Sequence, residues 1–154
     1  GKELDIKWVN DLYYRNKKVC GILTEAVTDF ESGDIEFAVV GIGLNIYEPE
    51  EGYPAELDGI AGALYKSREE AAGINRNQLA AAVINHLLRE TQKLCIPGEY
   101  IDRSMVVGRR IRIMDNSGQR IVKALQICRD GRLKVLETDG SESILSYEEV
   151  SLKI

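Results

Sequence analysis

The hydrophobic period of this chain changes once, at Pro97-Gly98, and that change limits the fold more than any single motif. Before it, Asn75 to Cys95 sets Leu79, Val83 and Leu87 on one row and Ala80, Ile84 and Leu88 on the next, the spacing of an amphipathic helix. Asn75 with Gln78 three residues on matches a capping box, and Ile96, Pro97 and Gly98 stop the helix. After it, IRIMD, QRIVKALQIC, RLKVLET and ESILSY are short strands separated by Asn116-Ser117-Gly118, Asp130-Gly131 and Asp139-Gly140. Turn signals this regular predict a small β-barrel. The boundary falls near residues 97 to 105, dividing the chain into 1–98 and 104–154.

Upstream of the helix, residues 4 to 8 (LDIKW), 18 to 28 (KVCGILTEAVT) and 36 to 46 (EFAVVGIGLNI) read as strands, split by turn-prone RNK and ESGD. Short links make consecutive strands antiparallel neighbours. AVVGIGL is apolar at every position, the pattern of a central strand covered by helices. Residues 47 to 60 hold two of the three prolines and read as a loop, with a short helix near 55 to 65. The fold class is α+β: a partial mixed or antiparallel sheet with helices, then the barrel.

Charge narrows the partners. With 20 Lys+Arg against 25 Asp+Glu, the net charge of -5 argues against nucleic-acid binding. Cys20, Cys95 and Cys128 are odd in number and lack a C-x-x-C pair, so neither a disulfide framework nor a zinc site is indicated, and a reducing cytoplasm fits. No apolar run reaches the roughly 20 residues of a membrane-spanning helix, and GKELDIKW is not a signal peptide.

Few residues suggest chemistry by themselves. GIGLN (41–45) begins like a dinucleotide loop, but position 46 is Ile46 and a Glu/Pro loop follows, so the fingerprint fails. Gly41 and Gly43 either allow close backbone packing or form a ligand wall. His86 is the single histidine and reads as a structural or surface residue; Asp29, Glu31 and Asp34 read as a solvated turn. KWVNDLYYRNKKVCGILTE (7–25) is different, because one hairpin combines Trp8, Asn10, Asp11, Lys18 and Gly21. At its tip Lys17 should face water. Lys18 is either a second solvated lysine or a cation held at the sheet surface.

That segment resembles the K-W-P-N-D-x(6)-K-x-x-G-I-L-x-E signature of biotin protein ligases. VVGIGLNI is similar to the same family's next strand, G-x-G-x-N, and the remainder, down to EEVSLK, resembles the rest of the family's catalytic core and its SH3-like C-terminal domain. The resemblance implies a class II synthetase-like core. It also implies ATP-dependent activation of biotin to biotinyl-5′-AMP, with Mg²⁺, and transfer to a lysine of a biotin carboxyl carrier protein domain. Lys18 matches the family lysine at the biotin carboxylate, which makes it the catalytic residue. Gly21 would give the biotin ring room, Asn45 and Gly43 would border the adenylate, and Lys153 would reach the nucleotide from the barrel. Trp8 and Asn10 would support the hairpin, and Asp11 would steady the hairpin or the incoming lysine. No covalent enzyme intermediate is needed.

Two departures stand out. Val9 replaces the motif's proline, which frees φ and adds a backbone N–H. The family's G-R-G-R-x-G loop, which lies upstream of the hairpin, has no counterpart in these residues. The chain is therefore expected to be the C-terminal part of a ligase, inactive or weakly active alone, that self-associates or pairs with its missing half. The alternative is a non-catalytic module that binds biotin or adenylate, or docks the carrier.

Overall fold

The computed structural model describes residues 1–93, 95–115, 118–146 and 151–153, with backbone alone for 115 and 151–153. The chain forms two compact units, Gly1–Leu4 with Asn10–Ala71, and Asp5–Val9 with Ala72–Ile154.

In the first unit β2 (Asp11–Tyr14), β3 (Lys17–Thr28) and β4 (Ile35–Leu44) lie side by side in that order, and both pairings are antiparallel. The sequence shows no separate β2, because DLYY is too short to alternate. The loop after β4 contains one 3₁₀ turn, Ala55–Leu57, where a helix over 55–65 was expected. Gly59 (φ 73°) breaks it, and the chain then runs extended beside β3, with Lys18 N donating to Ile60 O and Gly62 N to Lys18 O.

This unit has a small interior: Val19, Cys20 and Ala71 are its buried apolar residues among those described. The expectation of a helix-covered central strand fails. β4 is an edge strand, no helix of this unit lies over it, and Leu23 (60% exposed), Phe37 (52%) and Val39 (56%) stand open.

The second unit begins with β1 (Asp5–Lys7), whose Ile6 bridges Ser104 in parallel. Helix α1 (Arg76–Glu90) is capped as expected: the Asn75 side chain accepts from the backbone N–H of Asn77 and Gln78. It stops short of Cys95, because the Thr91 hydroxyl closes the last turn on Leu88 O. Pro97 caps a further short helix, α2 (Gly98–Asp102), where a bare hinge was expected.

The five-stranded sheet that follows has the order β8-β7-β6-β5-β9 for β5 (Arg110–Asp115), β6 (Gly118–Ile127), β7 (Leu133–Leu136), β8 (Glu142–Leu145) and β9 (Ser151–Lys153). It is the small SH3-like domain. Period-2 alternation turns Ile111, Ile113, Val122, Ala124, Leu133, Val135 and Leu145 inward. A register shift between Ala124 and Gln126 brings Ile127 to the same side. Gly131 (φ 84°) and Gly140 (φ 88°) make two of the expected turns; the third, at Asn116-Ser117, lies outside the described residues.

Tyr100 ties this unit together by donating to Val9 O at 2.8 Å, and burial pushes its phenol up to about 12. Its folded-state value lies above the ordinary one near 10, so its contribution is complete below pH 10 and is lost as pH rises toward 12. Denaturation against pH should show stability falling across that interval. Tyr100→Phe should remove that dependence and cost about 1 kcal/mol at neutral pH.

Candidate functional site

The site is decided by a bulge. Asp11 pairs Gly21 and Leu12 pairs Cys20, but Tyr13 pairs Lys18 and Tyr14 pairs Lys17, so Val19 is an extra residue on β3. An extra residue reverses which side chains share a face. Lys18 thereby joins Asp11 and Gly21, whereas regular pairing would place it on the reverse side. Arg15 (φ 52°) and Asn16 (φ 63°) form the two-residue turn, and a left-handed arginine costs roughly 1–2 kcal/mol that the flanking ladder must offset.

Lys18 Nζ lies 2.6 Å from Asp11 Oδ1, with the lysine side chain 41% exposed and the aspartate 19%. Gly21 is the floor beneath them: a Cβ there would stand 3.2 Å from Lys18 Cε, 3.3 Å from Nζ and 3.6 Å from Asp11 Oδ1. Gly43 is opposite Gly21, and a Cβ on it would meet nothing nearer than Gly21 O at 3.9 Å. Tight packing therefore does not account for glycine at 43. The two glycines leave a strip of bare strand beside an ammonium.

Asn45 borders the strip. Its backbone N–H donates to Val19 O at 2.8 Å and its amide to Gly62 O at 2.9 Å. Asn10 braces the hairpin, its amide donating to Ile22 O while Ile22 N donates to Asn10 O. Burial, then the Asp11 charge, raises the Tyr13 phenol and the Cys20 thiol, with Lys18 pulling both the other way. Both groups are thus held neutral beside the ion pair. The Tyr53 hydroxyl is a buried polar atom without a partner, in the loop after β4.

The structure thus brings Asp11, Lys18, Gly21, Gly43 and Asn45 together and braces them with Asn10. Trp8 is elsewhere: it is buried in the second unit's core, with Nε1 donating to Gly131 O at 2.8 Å, and its peptide bond to Val9 is cis. Lys153 has its backbone in β9 opposite Arg112, and its side chain lies outside the described residues. Lys17 departs from its expected place in water. Its stem presses on Gly62, where a Cβ would stand 2.6 Å from Lys17 Cβ, and it lines a cleft with Tyr14 and Tyr65. That cleft was not legible in the sequence, because its walls come from segments far apart in the chain.

The other groups behave as solvated structure. His86 is exposed and bonds Arg89, and Asp29 accepts from the N–H groups of Glu31 and Ser32, which hold its carboxyl below the usual range. No three His, Cys, Asp or Glu side chains gather into a metal site among the described residues, and no helix there is long and apolar enough to cross a membrane.

The model of the biotin/lipoate A/B protein ligase family matches residues 1–45. The bifunctional ligase/repressor BirA of Bacillus subtilis is 30% identical, in an alignment covering 96% of this chain and 46% of the relative. The biotin--[acetyl-CoA-carboxylase] ligase of Mycobacterium tuberculosis is 31% identical over 96% of this chain and 53% of its own length. The chain therefore spans about half the length of these relatives. Among solved structures, the apo biotin protein ligase of Aquifex aeolicus superposes with a TM-score of 0.74 at 24% identity, covering 97% of this chain and 65% of that one. The same enzyme in complex with biotin and ATP gives 0.73 at 22% identity, with 97% and 62% covered. These structures share the fold.

The geometry makes Gly21 the residue that sets the ammonium's position. Gly21→Ala should displace Lys18 from Asp11 while leaving the strand intact, visible as altered Lys18 Nζ and Asp11 carboxyl NMR shifts. A double-mutant cycle of Asp11→Asn with Lys18→Gln should return a coupling of roughly 0.2–1 kcal/mol, small because the lysine is well exposed.

Proposed function

Because the chain belongs to the biotin/lipoate A/B protein ligase family, we propose that it supplies the Lys18 wall of a biotin protein ligase. The observation that carries this reading is the Lys18 ammonium fixed at 2.6 Å from Asp11, over a strip of strand stripped of side chains at Gly21 and Gly43. A flat ring can lie on such a strip while its carboxylate meets the cation.

In the reaction proposed, an oxygen of the biotin carboxylate attacks the α-phosphorus of ATP and pyrophosphate leaves. The product is biotinyl-5′-AMP. A neutral lysine amine of a biotin carboxyl carrier protein domain then attacks the acyl carbon, the acyl–phosphate bond breaks, and AMP departs as the amide nitrogen loses a proton. Two anions must approach each other in the first step, and charge gathers on phosphate oxygens in both. A preplaced cation at the junction lowers that barrier, and a lysine suits it because three donors on a compact charge can follow the charge as it moves. Asp11 keeps the ammonium oriented without blocking it, since 41% of the Lys18 side chain stays open.

Asn45 and Gly43 border the adenylate in this reading. Mg²⁺ would arrive with ATP and offset phosphate charge. The division into residues 1–98 and 104–154 separates the catalytic portion from the barrel.

The partner follows from the bare ribbon of β3 and β4. Leu23, Phe37, Val39 and Ile42 open to solvent are the signature of a sheet that another segment covers. We assign that segment to the half of the ligase that bears the G-R-G-R-x-G loop. Alone, the chain should self-associate at micromolar concentration by sedimentation; a clean monomer would contradict this.

Adding a polypeptide with the upstream half should produce biotin-dependent ATP/pyrophosphate exchange, and Lys18→Ala should reduce it by about 10²–10³-fold. Exchange retained in that variant would remove Lys18 from the mechanism. Calorimetric binding of biotin with no exchange in the mixture would instead favour a non-catalytic binding module.

A further inference from the structure

The face of the β2–β3 hairpin opposite Lys18 carries a cleft of about 420 Å³, within the roughly 300–1,000 Å³ range of small-molecule sites. It belongs wholly to the first unit. Two tyrosines form an aromatic wall, with Lys2 Nζ 4.9 Å from the Tyr14 centroid and 4.4 Å from that of Tyr65. The Arg15 guanidinium lies 5.1 Å from the Tyr14 ring. Lys17 and Lys66 bring the cations of the lining to four, against the carboxylates of Glu48 and Glu70. Glu70 is already engaged, accepting from Lys66 N at 3.1 Å. This excess of positive charge stands in a chain whose net charge is -5.

The hairpin is built to keep those groups there. The same bulge that moves Lys18 to the Asp11 face sends Lys17 to this one, beside Tyr14. The left-handed turn at Arg15 keeps an arginine where glycine would be easier. Tyr65 is fixed from behind, its N–H donating to Ile46 O at 2.9 Å.

We infer that this cleft is a second ligand site, for a phosphorylated aromatic small molecule of the nucleoside phosphate class. Arginine and lysine donors match phosphate oxygens, and tyrosine rings match a planar base. A bare phosphate would leave the aromatic wall unused.

The site communicates with the other face through one residue. Gly62 lies in the cleft wall, its N–H donates to Lys18 O and its carbonyl accepts from the Asn45 amide, both at 2.9 Å. An occupant that shifts Gly62 therefore shifts the backbone of Lys18 and the side chain of Asn45. The inference rests on this cleft and not on the ligase reading.

Titration calorimetry of the intact chain with AMP, ADP and inorganic pyrophosphate tests it. AMP and ADP should bind saturably, Lys17→Glu with Lys66→Glu should weaken both at least tenfold, and Lys18→Ala should leave the Kd within twofold. Tyr65→Phe should retain binding and Tyr65→Ala should lose most of it. Circular dichroism checks folding; should the doubly reversed variant misfold, Lys66→Gln should still weaken ADP severalfold. Absence of saturable AMP and ADP binding up to millimolar concentration would overturn the site. So would loss in Lys18→Ala with no loss in the cleft variants, which would place the nucleotide on the other face. Pyrophosphate binding as tightly as ADP would overturn the aromatic part of the assignment.

Discussion

One extra residue in β3 organises the first unit. Without Val19 as a bulge, strand parity would put Lys17 beside Gly21 and turn Lys18 to the reverse face, away from Asp11. With it, Lys18 meets Asp11 over Gly21, and Lys17 joins Tyr14 over Gly62. Val19 is itself fully buried, so the bulge is anchored by the small core it helps to form. The two adjacent lysines are thereby separated by a sheet, which keeps like charges apart and gives each its own chemistry.

The same strand shows how unevenly the chain is stabilised. The barrel unit buries a continuous cluster from Trp8 through Leu145, while the hairpin unit buries Val19, Cys20 and Ala71 among its described apolar residues. Each fully buried Val or Leu contributes about 1.5–3 kcal/mol, so the barrel has the larger margin. Beyond Gly21, β3 and β4 hold register by backbone pairing while Leu23, Phe37 and Val39 stay in water. A ladder whose side chains lack partners on both faces is at the low end of local stability.

How much of this the sequence revealed depends on the range of the signal. The Asn75 cap, the Gly131 and Gly140 turns and the alternation of Ile111 and Ile113 are local patterns, and they are where the spacing places them. The SH3-like domain was legible for that reason. The 3₁₀ turn at Ala55–Leu57 and the exposure of β4 were not, because each is set by what lies beside the segment. In the site, residue type and spacing marked Lys18, Asp11 and Gly21 together, but a bulge has no signature in KKVCG, so Lys17 was sent to solvent. Trp8 misled for the opposite reason: its neighbours in sequence belong to the hairpin, whereas its indole belongs to the barrel core.

Gly62 makes the physical logic of the two faces concrete. Its missing side chain admits the Lys17 stem, since a Cβ would collide at 2.6 Å. Its N–H and carbonyl hold Lys18 and Asn45 respectively. A side chain there would therefore disturb both faces at once: it would push Lys17 into the cleft and pull two hydrogen bonds away from the Lys18 strip. The glycine at 62 is a steric requirement of one face and a hydrogen-bonding requirement of the other. The segment 60–62, extended beside β3 where a helix was expected, is the backbone through which they meet.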